Sequence, residues 1–183
     1  MQNSPDIFWQ LIEDYRPALW RYAYGLTRSR DDANDLVSDT VVAAFQSFPN
    51  QRDLGGFKKT LYTIARRLHT RKLWRRRLFM GNDGIEHIPA EEQRESTHDL
   101  ELLLTALDRL PLKMREALLL FEISGFSLEE IRQLQGGTLS GVKSRLKRGR
   151  EALRDMIVDR PVESTVDEYN DQLVPFVFEM QRL

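Results

Sequence analysis

Apolar residues recur at intervals of three and four along most of the 183-residue chain. This spacing is typical of amphipathic α-helices. Alternating apolar and polar residues bounded by turn signals, which would indicate half-buried strands, form no long run. The pattern therefore predicts an all-α protein. Helices are expected over about 5–27, 30–48, 56–79, 97–110 and 112–123, then from Ser127 to the glycines at 136–137, and from Thr138 to about Ile157.

The composition divides these helices into two groups. Residues 80–96 are polar and acidic, with Asp83, Glu86, Glu91, Glu92 and Glu95 against a lone Arg94. Such a composition is typical of a flexible linker. The sequence thus predicts two small helical domains, 5–79 and 97–157, joined by this acidic linker at 80–96. The tail, 158–183, is acidic and then apolar over 173–178, so it is expected to dock on the chain itself or on a partner.

The segment after Ser127 predicts a helix-turn-helix. Ser127 and Glu130 have the spacing of a capping box, which begins a helix. Gly136 and Gly137 end that helix, and Thr138 can cap the next one. The buried side of the second helix is predicted to hold Val142, Leu146, Gly149 and Leu153.

The second helix of this unit is strongly basic. No acid occurs between Thr138 and Glu151, and a helix of this kind places its first turn at DNA base edges and its cations at phosphates. An ordinary solvated basic face is the alternative interpretation. The candidate DNA contacts are Thr138, Ser140, Lys143, Ser144, Arg145, Lys147 and Arg148.

A second basic helix lies in the first predicted domain. Between Phe57 and Leu78 the sequence has nine lysines and arginines and no acid, with aromatic residues among them. Cations hold phosphates, and exposed rings can stack on unpaired bases. For any single aromatic ring, burial in the core is the simpler interpretation. The candidate contacts with DNA are Lys58, Lys59, Tyr62, Arg66, Arg67, Arg71, Trp74 and Arg75.

Net charge, cysteine content and the lengths of the apolar runs limit which classes of protein this chain can belong to. The net charge is −1, and the basic residues are instead sorted into blocks. There is no cysteine, which excludes disulfides and thiolate metal sites and fits a reducing cytoplasm. The apolar runs are too short to span a bilayer, and the N-terminus lacks the pattern of a secretion signal. We therefore expect a cytoplasmic protein that does not insert into membranes.

Together these residues resemble the extracytoplasmic-function (ECF) subclass of sigma factors of bacterial RNA polymerase, over roughly Phe8 to Met156. The run from Asp32 to Val37 is similar to the acidic motif that docks on the polymerase. The run from Phe57 to Arg66 is similar to sigma region 2, which opens and reads the −10 promoter element. The segment from Leu107 to Arg150 is similar to sigma region 4, which binds the −35 element and the polymerase flap. Asn34 stands where the family usually has Glu, and Thr60 where it usually has Trp.

The resemblance implies a set of partners. They are core RNA polymerase through its β and β′ subunits, promoter DNA, and an anti-sigma factor. The polymerase contacts it implies are Asp32, Asn34, Asp35 and Leu36. It implies no cofactor. Promoter opening requires docking on duplex DNA and capture of unpaired bases, which agrees with two separate basic helices.

Three alternatives remain at this point. A stand-alone helix-turn-helix regulator would bind its DNA tightly without polymerase. An enzyme is the second, because Asp31, Asp32, Asp35 and Asp39 could suggest a site for a hard metal ion. Acids at a helix start are favoured by the helix dipole in any case, and no phosphate-cradling glycine loop is present. The third is a sigma-like protein whose apolar tail docks on one domain and regulates it.

Overall fold

The computed structural model describes residues 5–50, 54–80 and 98–158, and within these ranges it contains helices and turns and no strand. The all-α prediction is confirmed. The helices are α1 (Pro5–Thr27), α2 (Arg30–Ser47), α3 (Phe57–Met80), α4 (His98–Arg109), α5 (Leu112–Leu118), α6 (Leu128–Gln135) and α7 (Leu139–Val158). A 3-10 turn, Phe48–Asn50, extends α2, and a π-helical turn, Leu119–Ile123, extends α5.

The chain forms two compact units, Met1–Glu92 and Gln93–Leu183. The first contains α1 to α3 and the second contains α4 to α7. Two small helical domains were predicted, and this part of the prediction is confirmed. The predicted linker beyond Met80 and the tail beyond Val158 lie outside the described residues.

The first domain packs α1, α2 and α3 around aromatic rings. Phe8 of α1 meets Phe48 and Phe57 edge to face, with ring centroids 5.1 and 5.7 Å apart. Further along the same helices, the rings of Tyr22 and Tyr62 lie 5.1 Å apart. Edge-to-face pairs of this kind add to the free energy gained by burial. This packing holds α3 with one side in the core and the other side at the surface.

Helix α1 runs without a break through Pro17. A proline in a helix interior removes one backbone hydrogen bond and commonly kinks or divides the helix. Here the helix continues past Pro17 as one element of 23 residues. Helix α2 then begins where expected, because the Ser29 hydroxyl accepts a hydrogen bond from the Asp32 amide at 3.2 Å.

The second domain depends on the close approach of α5 and α7. Gly149 of α7 is buried, and a Cβ atom placed on it would lie 2.9 Å from Cδ1 of Leu118 and 3.0 Å from Cγ of Met114. Residues from every helix of this domain complete the core, among them Leu104, Leu107, Leu119, Ile131, Val142 and Leu146. The absent side chain at Gly149 therefore allows α7 to pack tightly on α5.

Candidate functional site

The helix-turn-helix has the local geometry that its sequence predicts. The amide of Ser127 donates to Glu130 Oε2 at 2.8 Å, and the amide of Glu130 donates back to the Ser127 hydroxyl at 3.3 Å. This reciprocal pair is a complete capping box at the start of α6. At the other end, Gly136 has φ 74° and ψ 174°, a conformation that is essentially restricted to glycine. The turn between α6 and α7 is thus fixed by the sequence.

Thr138 lies at the start of α7, the second helix of this unit. Its hydroxyl accepts a hydrogen bond from the amide of Gly141 at 3.1 Å, and the Ser140 hydroxyl lies 3.1 Å from the same oxygen. An N-cap of this kind satisfies one of the four amides that a helix start leaves without an intrahelical partner. Thr138, which was predicted as a DNA contact, therefore also caps the start of α7.

The two sides of α7 differ as predicted. Val142, Leu146, Gly149 and Leu153 are buried, which confirms the predicted inner face. The predicted DNA contacts Ser140, Lys143, Ser144, Lys147 and Arg148 are exposed. They share one side of the helix because they follow a spacing of three and four residues. Lys147 also lies 3.8 Å from Glu151, one turn further on.

Two arginines of α7 have contacts within the protein. Nη2 of Arg145 donates to the carbonyl of Gly136 at 3.4 Å, so this half-buried side chain leans over the turn. Arg150 forms an ion pair with Glu122 at 2.6 Å and lies over the ring of Phe121, 5.3 Å from its centroid. Glu122 is 28 residues away in sequence, so its pairing with Arg150 could not be predicted from local spacing.

Helix α3 presents a cationic stripe, which we define as Arg67, Arg71, Trp74 and Arg75. All four are exposed, and the spacing of four, three and one residues places them on one side of the helix. The indole of Trp74 is 61% exposed, although it is a large apolar group. The other predicted cations, Lys58, Lys59 and Arg66, are half-buried. The stripe combines an exposed ring with cations on both sides of it.

Tyr62 does not belong to this surface. It was predicted as a DNA contact, but it is 1% exposed and packs against Tyr22 in the core. Tyr62, Ala65 and His69 are all buried and stand three and seven residues apart. This helical spacing is the signal in the sequence that indicates burial of Tyr62.

The acidic end of α2 packs beside α3. Asp32 forms ion pairs with Lys72 and Arg76, the latter at 3.4 Å. Partial burial raises the pKa of Asp32, but the hydrogen bond and charge of Lys72, together with Arg76, outweigh it and hold the pKa below its usual value. Asp32 therefore joins the two helices in addition to any external role.

The other predicted polymerase contacts have different surroundings. Asp35 is exposed, whereas Leu36 is only 6% exposed and belongs to the core. Asn34 is exposed, and its Oδ1 accepts a hydrogen bond from Trp20 Nε1 of α1 at 2.8 Å. The surface formed by Asn34 and Asp35, which we call the docking face, thus lies at the exposed side of the first turns of α2.

Comparison with known proteins identifies the family to which this pair of helical domains belongs. Residues 11–78 match the family Sigma-70 region 2, and residues 100–153 match the family Sigma-70, region 4. The ECF RNA polymerase sigma factor EcfG of Rhodopseudomonas palustris is 32% identical, over 77% of this chain and 80% of EcfG. The chain belongs to the ECF sigma factors of bacterial RNA polymerase. The two family matches coincide with the two helical domains.

Other relatives of this sigma factor agree. The ECF RNA polymerase sigma factor SigE of Mycolicibacterium smegmatis is 33% identical over 85% of this chain, which spans 63% of the length of SigE. A solved structure is also similar: the sigma factor RpoE in complex with the anti-sigma factor NepR from Bartonella quintana. The TM-score is 0.71 at 32% identity, covering 84% of this chain and 98% of RpoE.

In this sigma factor the docking face and the cationic stripe border one groove. The groove lies between α2 and α3 and has a volume of about 480 Å³. Asp35 and Asp39 line it from α2, and Arg71 and Arg75 line it from α3. Opposite charges therefore face each other across the groove, which brings the predicted polymerase contacts close to the predicted −10 contacts.

Over residues 5–50, 54–80 and 98–158 there is no group of three or more His, Cys, Asp or Glu side chains arranged to hold a metal ion. The same ranges contain no helix that is long and apolar enough to cross a membrane.

Proposed function

We propose that this ECF sigma factor binds core RNA polymerase, directs it to promoters and opens the DNA there, acting without a catalytic step of its own. The observation that supports this most is that each domain carries its own exposed cationic surface, of a different kind. In the second domain, α7 presents exposed polar and basic residues directly after the turn that joins it to α6. Helix α3 presents cations around an exposed indole.

In this proposal α7 binds the duplex of the −35 element. Ser140 and Ser144, with Lys143, lie at the start of the helix, where a recognition helix meets base edges. Lys147 and Arg148 lie further along and are suited to phosphates. Arg145 and Thr138 are expected to contribute mainly by holding the turn and the helix start in place.

The cationic stripe of α3 is proposed to hold the −10 element. Arg67, Arg71 and Arg75 would bind the phosphates of one strand. Trp74 would stack on a base that has left the duplex, a contact that contributes about 1–3 kcal/mol per base. We omit Tyr62 from these contacts because it is buried.

The docking face is proposed to bind the core enzyme through its β and β′ subunits. Asp35 would supply an exposed carboxylate there, and Asn34 a neutral polar group. Asp32 would act partly through its ion pairs with α3. We further propose a cytoplasmic location, residues 5–79 and 97–157 as the functional domains with 80–96 as linker, a regulatory tail at 158–183, and control by an anti-sigma factor.

Run-off transcription with purified core polymerase tests the proposal. A pool of templates with randomised upstream and start-proximal segments removes the need to know the promoter. Addition of the protein should yield transcripts from a selected subset that share two elements. Absence of transcripts, together with absence of a complex with core polymerase, would refute the proposal.

A gel shift separates this function from a stand-alone regulator. The selected promoter should be shifted by the protein together with core polymerase and much less by the protein alone. A tight shift without core polymerase would favour the stand-alone regulator instead.

Asp35 provides the test of the docking face. Asp35→Ala should weaken binding to core polymerase, because it removes an exposed carboxylate without removing a buried contact. Asp14→Ala, an exposed acid on α1, is the matched control for loss of one negative charge. Equal affinities for the two variants, measured by fluorescence anisotropy, would show that the docking face lies elsewhere.

Trp74 provides the test of the stripe. Trp74→Ala should reduce open-complex formation by about tenfold, since one stacked base is lost. Permanganate reactivity of unpaired thymines measures this directly. Trp9→Ala, at a 50% exposed tryptophan of α1, is the control for removal of an exposed indole. A similar loss in both variants would contradict a specific role for Trp74.

A further inference from the structure

The contact between Trp20 and Asn34 determines what the docking face offers to a partner. Nε1 of Trp20 lies 2.8 Å from Oδ1 of Asn34. An indole N–H can only donate a hydrogen bond, and of the two ends of a carboxamide only the oxygen can accept it. The amide of Asn34 is therefore oriented with its oxygen toward Trp20.

Trp20 is itself held in place. Its ring stacks on Tyr24, one turn further along α1, with centroids 5.1 Å apart and planes inclined by 12°. Tyr24 is 6% exposed, so the stack rests on the core of the domain. A donor fixed in this way limits rotation of the Asn34 amide more than a mobile surface side chain would.

The consequence concerns the other end of the amide. When the oxygen of Asn34 faces Trp20, the NH₂ group faces away from it, and Asn34 is exposed. Its neighbour Asp35 is exposed as well and, when ionised, can only accept hydrogen bonds. The docking face thus places an oriented donor directly beside an acceptor.

We propose that Asn34 is a specificity-determining residue of the docking face. Its NH₂ group donates a hydrogen bond to an acceptor oxygen of core polymerase, a carbonyl or a carboxylate, and Trp20 is the positioning residue that aims this donor. The inference rests on the proposed function, because it assumes that the docking face meets core polymerase.

Asn34→Asp is the decisive variant. It keeps the size of the side chain and the oxygen that accepts from Trp20, but it removes the outward donor. Affinity for core polymerase should fall by about three- to tenfold, the effect of one hydrogen bond, while the melting temperature of the protein stays unchanged. An affinity equal to or higher than that of the wild type would overturn the inference.

Asn34→Ala identifies the acceptor. It removes the donor without adding a charge. If the acceptor is a carbonyl, the losses in Asn34→Ala and Asn34→Asp should be similar at all salt concentrations. If it is a carboxylate, Asn34→Asp should lose more at low salt, and the difference should shrink at high salt as the repulsion is screened.

Trp20→Phe tests the positioning role. Phenylalanine retains a ring to stack on Tyr24 but has no N–H, so the Asn34 amide becomes free to turn. Affinity should fall by about twofold, less than in Asn34→Asp, because the donor is still present but is no longer aimed. Adding Asn34→Asp to Trp20→Phe should then cost less than it does in the wild type, and equal costs in both backgrounds would refute the coupling.

The Asp35→Ala variant separates the two proposals. If Asp35→Ala weakens binding and Asn34→Asp does not, the docking face stands and the role of Asn34 is refuted. If neither variant weakens binding, the docking face itself is wrong, and the inference fails with it.

Discussion

At the scale of single residues, solvent exposure of the side chain distinguishes residues that could contact DNA or polymerase from residues that stabilise the fold. The sequence correctly marked α3 and α7 as basic, because charge needs no knowledge of packing. It could not identify Tyr22 as the partner of Tyr62 or Glu122 as the partner of Arg150, since both contacts join helices that are distant in sequence. The contact of Trp20 with Asn34 was missed for the same reason.

Asp32 gives a prediction at this scale. Its pKa is lower in the folded protein than the usual value of 3.8, so its ion pairs contribute stability above that pH and lose it as pH falls through the folded pKa. Asp32→Asn should lower the free energy of unfolding by about 0.5–1 kcal/mol at pH 7, and the difference should fade as pH falls through the lowered pKa of Asp32. Urea denaturation followed by tryptophan fluorescence measures it.

The control for this experiment is Asp31→Asn. Asp31 is an exposed acid at the same helix start, so it reports the loss of a charge near the helix dipole alone. A pH-independent difference for Asp32→Asn, or the same pH profile for both variants, would contradict the role of the ion pairs.

At the scale of elements, the starts of helices were predicted better than their interiors. Local side chains such as Ser127 and Thr138 decide where a helix begins, so sequence is sufficient there. The π-helical turn Leu119–Ile123 was expected to be ordinary α-helix, because both forms bury residues at nearly the same spacing. Only the packing of α5 in the second domain distinguishes them.

The turn between α6 and α7 yields the second prediction. Gly136→Ala should lower the stability of the second domain by about 1–3 kcal/mol, because its φ and ψ values are strained for any residue with a Cβ atom. No atom lies within 4 Å of the added Cβ, so the cost is conformational and not a clash. Far-UV circular dichroism measures the transition.

The tryptophans provide an internal control for the Gly136→Ala experiment. All three, Trp9, Trp20 and Trp74, belong to the first domain, so their fluorescence should be unchanged by Gly136→Ala. Ser144→Ala, at an exposed interior position of α7, should be neutral or slightly stabilising. Equal stability of Gly136→Ala and the wild type would contradict the strained conformation.

The close packing of α5 on α7 gives the third prediction. Gly149→Val should lower the stability of the second domain by about 1–3 kcal/mol, because a side chain there must displace Leu118 and Met114. Thermal unfolding by circular dichroism measures the loss. Adding Leu118→Ala should recover part of it by making room, and a double variant without any recovery would refute the steric explanation.

At the scale of the whole molecule, a net charge of −1 conceals two strongly basic helices. DNA affinity responds to local cations at phosphates, so it should depend steeply on salt in spite of the overall charge. Sequence was sufficient to predict the two helical domains, because each has its own apolar pattern. The side chains that meet across helices, and hence the details of the candidate surfaces, required the fold.

The salt dependence of DNA binding can be tested at single cations of α7. Lys143→Ala and Arg148→Ala should each weaken promoter binding by the polymerase complex and lower the slope of log affinity against log salt by about one. Arg154→Ala, an exposed cation near the other end of α7, is the matched control. If the slope changes as much for Arg154 as for Lys143, the start of α7 is not the part that meets DNA.

The cationic stripe has a consequence for the heat resistance of the protein. Arg67, Arg71 and Arg75 stand four residues apart on one helix, where like charges repel each other and weaken the fold. A polyanion lying along them removes this repulsion, and it should bind the folded domain, where the three arginines are aligned, more tightly than the unfolded chain. Heparin or single-stranded DNA should therefore act as a thermal protectant of the first domain, and the sigma factor should be least robust when it is stored alone in dilute buffer.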